Sequence, residues 1–154
     1  MTAEPVIINN EKLSKVEQKF YSITDSAALV AGDSYSYLFL PALNEGIFIA
    51  KISDRIWGIT IKITLKAGGT AILATDVLPL LNADYQAKFH LSSGEYALGI
   101  GVAGNHKLRI AMAPNLSLTV EDGLAANEEI HISFGGIIVL DKSDSMVCEL
   151  TADN

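Results

Sequence analysis

Between Ile56 and Leu65 the chain alternates strictly. Trp57, Ile59, Ile61, Ile63 and Leu65 fall in one phase, and Gly58, Thr60, Lys62 and Thr64 in the other. Apolar residues at that spacing would spiral around a helix, whereas in a strand they form one wall. The β-branched content suits a pleated surface. Such a wall is stable only under a second layer, so the rest of the chain has to supply one.

The pattern recurs in shorter pieces. Ala67-Gly68-Gly69 reads as a turn, with Thr70 to Thr75 returning as a strand. Asp76 to Asn82 contains Pro79 and reads as a short helix or a crossing loop rather than a central strand. Tyr85, Ala87, Phe89 and Leu91 alternate, Ser92-Ser93-Gly94-Glu95 turns the chain, and Leu98, Ile100 and Val102 alternate back. Strands over Leu108–Met112, Leu116–Val120, Ile130–Leu140 and Met146–Leu150 follow, with a bulge or bend expected at Gly135-Gly136. In the first third, Asn10 could cap a short helix from Glu11 to Phe20, and Lys15 to Ile23 could equally be a strand. Tyr35–Leu40 and Gly46–Ile52 read as strands around Pro41–Asn44.

Short turns between strands imply antiparallel pairing, and such chains close into sandwiches or barrels to protect their edges. The expected fold is therefore all-β: an antiparallel, jelly-roll-like β-sandwich or a closed barrel, with at most one short N-terminal helix. Residues 1–154 read as one β domain, with 1–10 as an N-terminal arm; no repeat or linker divides them.

Hydrophobic residues make up 49% of the chain and charged ones 19%, below the usual share of about 25%. So few charges imply a well-filled core or apolar surface covered by another chain. The net charge is −7, and residues 1–112 are balanced, so residues 113–154 carry all of it. That distribution repels phosphate backbones and argues against nucleic-acid binding. No apolar stretch is long enough for a helical membrane span, and the first residues do not resemble a secretory leader. The expected location is cytoplasmic, or outside the cell after release without a signal peptide.

Motifs for chemistry are weak. His90, His106 and His131 lack local zinc spacing, and Cys148 alternates with Met146 and Leu150 as a small core residue. Ala67-Gly68-Gly69-Thr70 lacks the lysine of a phosphate loop. Glu121, Asp122, Glu128 and Glu129 form an oxygen-rich loop without the alternating spacing of a calcium loop. They stand as the weak metal alternative, calcium; otherwise no cofactor and no catalytic residue is expected.

Two features point outward. Ala97, Gly99, Gly101 and Ala103 share one face of their strand, almost without side chains. Something must approach that backbone closely: a second sheet, an aromatic ring such as Trp57 or a tyrosine, a ligand, or another subunit. Tyr35 and Tyr37 share a phase and read either as core or as an exposed platform for a sugar or partner.

The expected role is that of a non-enzymatic structural subunit that self-assembles into a homo-oligomer or larger particle. The alternative is a binding module, either a carbohydrate-binding lectin or an acidic protein that binds a basic partner.

Overall fold

A computed structural model describes residues 18–153, so the expected arm at 1–10 and most of the expected helix at 11–20 lie outside the described residues. Eleven strands run in order among them: β1 (Lys19–Ile23), β2 (Tyr35–Leu38), β3 (Gly46–Lys51), β4 (Ile56–Ala67), β5 (Leu78–Pro79), β6 (Phe89–Leu91), β7 (Tyr96–Ala103), β8 (His106–Met112), β9 (Leu116–Val120), β10 (Glu129–Val139) and β11 (Met146–Cys148). One α-helix, α1 (Ala83–Lys88), lies between β5 and β6.

The strict alternator is the hub. β10 pairs antiparallel with one edge of β4 from Glu129↔Lys66 to Val139↔Ile56. Two strands share the other edge: β2 pairs with its end (Tyr35↔Ala67) and β3 with its beginning (Lys51↔Trp57). β1 completes this first sheet by pairing with β3. The second sheet runs β5-β9-β8-β7, and β6 and β11 form a small pair beside them.

The core sits between the two main sheets. Ile59, Ile61, Ile63 and Leu65 supply one wall, and Leu108, Ile110, Met112, Leu118 and Val120 the other, all at most 2% exposed. The fold is thus a sandwich-like all-β arrangement of antiparallel sheets; among the described residues no closed barrel forms.

Tyr35 and Tyr37 staple the layers. Their hydroxyls donate to the carbonyl oxygens of Pro79 and Leu78, each at 3.2 Å, tying β2 to the edge strand β5 of the second sheet. Their rings meet edge to face at 5.6 Å. Pro79 fits there because an edge strand does not need its missing N–H.

Three local expectations need correction. The alternation at Tyr85 and Ala87 belongs to α1, because the Asn82 carboxamide accepts the Tyr85 N–H at 3.1 Å and starts a helix. Only Phe89–Leu91 is strand. Thr70–Thr75 forms no hairpin: Gly68 instead donates to Ser34 O and accepts from Asn127 N–H, leaving a single bridge, Ile72↔Leu124. Of the two readings of residues 11–23, the strand holds at Lys19–Ile23. No register shift occurs along β10 at Gly135-Gly136; the bulge lies in β7, between Ala97 and Gly99.

That bulge sets the facing of β7. Ile100 and Val102, which share a phase with the buried Leu98, are 65% and 64% exposed, while Gly99 and Gly101 turn inward beneath the Phe134 ring. An extra residue in one strand exchanges its faces, and Gly99 takes the bulge at φ +152°, a conformation side chains disfavour.

Candidate functional site

The outward face of the first sheet is the most unusual surface of the described residues. Register places Phe20, Ala50, Gly58 and Ile137 in one cross-strand row, and Ser22, Phe48, Thr60 and Gly135 in the next. A third pair, Ile56 and Val139, lies beyond Gly58 and Ile137. In an isolated sandwich this face would carry polar residues. Here Phe20, Phe48, Ile52, Ile137 and Val139 are 46%, 37%, 37%, 64% and 60% exposed.

The face is also concave. Ala50 and Gly58 have short side chains or none, so the middle of the row is a floor between the Phe20 and Phe48 rings and Ile137. An open depression of about 510 Å³ results, with Ile52 and Thr60 on its border and Asp153 its one charged lining residue among those described. The Asp153 N–H donates to Phe20 O at 2.7 Å, which draws the C-terminal segment along β1.

Towards the other end of β4 the same face turns polar. Glu45 and Thr64 are the buried polar residues among those described, 6% and 0% exposed. The Glu45 carboxylate accepts the Leu40 N–H at 2.8 Å, and the Glu45 N–H returns a bond to Leu40 O at 3.3 Å, closing the Pro41–Asn44 turn. The Thr64 hydroxyl lies 2.8 and 3.0 Å from the two Glu45 oxygens and 2.8 Å from His131 Nδ1. Thr64 has one proton; when it goes to the carboxylate, His131 must donate from Nδ1. A hydroxyl beside an imidazole suggests a nucleophile and its base, but Thr64 is fully buried. The trio instead pins the β2–β3 connection across β4. Nothing in the spacing of Glu45, Thr64 and His131 reveals this in the sequence; only the β4–β10 register and the folded turn bring them together.

The expected site residues are dispersed. Gly99 and Gly101 meet Phe134 of β10, rather than Trp57 or a tyrosine; Ala103 is buried, and Ala97 is exposed before the bulge. Tyr37 is only 3% exposed, so the pair with Tyr35 presents no platform, and burial pushes the Tyr37 hydroxyl pKa well up.

The acidic loop does not converge on a point either. Asp122 lies 3.1 Å from His106 Nδ1, Glu128 lies 2.7 Å from His106 Nε2, and Glu121 pairs with Arg109 at 3.2 Å. Glu129 lies 4.0 Å from His131. The two carboxylates on His106 bind opposite ring nitrogens, so they cannot share one ion with that ring. Among the described residues no group of three or more metal-ligating side chains gathers. Burial pushes the Cys148 thiol pKa up, away from the reactive thiolate.

Among the described residues no helix is long and apolar enough to cross a membrane. No protein-family model, curated protein or solved structure matches this chain.

Proposed function

We propose that this protein is a non-enzymatic, self-associating structural subunit, and that copies meet through the outer face of the first sheet. The observation that carries this reading is the apolar depression between Phe20, Phe48 and Ile137, on a face where a solitary sandwich would be polar. The projecting Ile137 of one copy can enter the Ala50–Gly58 notch of another while its own notch receives the same side chain, as a two-fold interface requires. The low share of charged residues agrees with a surface meant to be covered.

The binding-module alternative has less support. A lectin would want an exposed aromatic platform, and Tyr37 is in the core. A basic partner would want free carboxylates, and Asp122, Glu128 and Glu121 already face His106 and Arg109.

Sedimentation of the full chain tests the proposal. The wild type is expected to associate, and Ile137→Lys to sediment as a monomer. Two copies of charge −7 repel one another, so raising salt from about 0.05 M to about 0.5 M should strengthen self-association. A wild type that stays monomeric at high concentration in both salts would overturn the reading.

A further inference from the structure

His106 stands between two carboxylates, one at each ring nitrogen. Asp122 reaches Nδ1 at 3.1 Å through both of its oxygens, and Glu128 reaches Nε2 at 2.7 Å. A neutral imidazole carries one N–H and can serve only one of them; the imidazolium serves both. The geometry is therefore that of a charged histidine.

Both carboxylates belong to the strap from Glu121 to Glu129 that links β9 to β10. The strap is tied to a second segment. Leu124 and Ile72 exchange backbone hydrogen bonds at 2.8 and 2.9 Å, and Asn127 N–H donates to Gly68 O at 2.8 Å. Ile72 belongs to the wall of a separate open groove of about 500 Å³ that Tyr35, Leu73 and Val77 also line. His106 thus adds a titrating tie to the backbone bonds of Glu121 to Lys107 O and of Ala67 to Glu128 O, and the strap in turn is bonded to Gly68 and to Ile72 of the groove wall.

We propose that His106 is a pH-sensitive latch on this strap: protonated, it fastens Asp122 and Glu128 to the start of β8, and on losing its proton it releases one of them and loosens the strap with the segment bonded to it.

The surrounding charges do not compete for the ring. β7 and β9, which flank β8, contribute no charged side chain, and the segment Gly68–Leu73 has none. Tyr96, the titratable group of β7, sits at its far end, where its hydroxyl meets Asp144. On β8 itself, Arg109 turns to Glu121, and Lys107 is exposed. Glu129 pairs in register with Lys66 and lies beside His131.

Hydrogen bonds to Glu128 and Asp122 raise the His106 pKa above its ordinary 6.5. The His106 bond lowers Asp122, and the Ala125 N–H followed by His106 lowers Glu128. A raised histidine contributes fully below its unfolded pKa and is lost as pH rises through the folded one. Depressed carboxylates contribute above their unfolded values and are lost as pH falls through the folded ones. The latch is closed between those limits and opens on the alkaline side of the folded His106 pKa.

Hydrogen exchange on the full chain decides it, read as protection factors so that intrinsic pH effects cancel. Between about pH 6 and about pH 9, the Leu124 and Asn127 amides should lose about fivefold in protection while the mid-β4 amides, Ile59 to Ile63, stay constant. In His106→Gln the same amides should show no such step. Equal protection of wild-type Leu124 and Asn127 at both pH values would overturn the latch. So would a His106 imidazole titration by NMR centred at or below 6.5, a readout that needs no variant.

Discussion

The Phe134 ring lies directly over the backbone of Gly99, so close that a Cβ there would sit 3.2 Å from two of its carbons. Gly101 lies beneath the same ring, where a Cβ would sit 3.4 Å away. This contact is where β7, the edge of the second sheet, packs on β10, the edge of the first. Replacing Gly99 by Val should destabilise the fold by about 2–4 kcal/mol, since it combines overpacking against Phe134 with strain at φ +152°. Urea unfolding checks this; a loss below about 0.5 kcal/mol would mean that β7 can shift without cost.

Ile137→Lys should behave oppositely. The side chain is 64% exposed, so the monomer should lose no more than about 0.5 kcal/mol while the assembly dissociates. Gly58→Leu provides a second probe, because it fills the notch from the outer face. Parallel thermal melts and sedimentation separate a lost interface from a lost fold.

Thr64→Val keeps the shape but removes the hydroxyl from a buried carboxylate. Glu45 retains the Leu40 N–H and loses its other close donor, so the variant should cost about 1–3 kcal/mol. Glu45→Gln in the same background should recover part of the loss, because a neutral amide is less costly to bury than a charge. Denaturant midpoints of the single and double variants give the coupling directly.

Tyr37 should limit the alkaline stability of the fold. Burial, and then the neighbouring Tyr35, raises its pKa well above the ordinary 10.0. The folded state keeps this proton longer than the unfolded chain does. Its contribution is complete below the unfolded pKa and declines as pH rises from about 10 towards the folded value. Absorbance titration should show one tyrosine ionising only as the protein unfolds, and Tyr37→Phe should remove that component. The same substitution forfeits the bond to Leu78 O, at a cost of about 0.5–1.5 kcal/mol.

The sequence alone determined the all-β class and most of the strands, because a period of two is a local signal that any burying layer reads the same way. The run from Trp57 to Leu65 needed only its own residues to declare which side faces the core. It failed where local signals are degenerate. Tyr85 and Ala87 alternate, yet a three-residue offset from Asn82 to Tyr85 makes a helix cap. Leu98, Ile100 and Val102 alternate too, but the bulge at Gly99 exchanges their faces, and bulges follow from what packs above them.

The candidate site was less legible still. That Gly99 and Gly101 leave a nearly bare strand face is written in the chain; that the bulge takes Ala97 off that face and that Phe134 covers Gly99 and Gly101 is not. The row Phe20–Ala50–Gly58–Ile137 spans four strands, and the latch of His106, Asp122 and Glu128 joins three residues spread over 23 positions. Sequence carries patterns within a strand, whereas these juxtapositions are products of register and sheet order. Only the tertiary structure, in which pairing partners fix each strand's offset against its neighbour, could decide them.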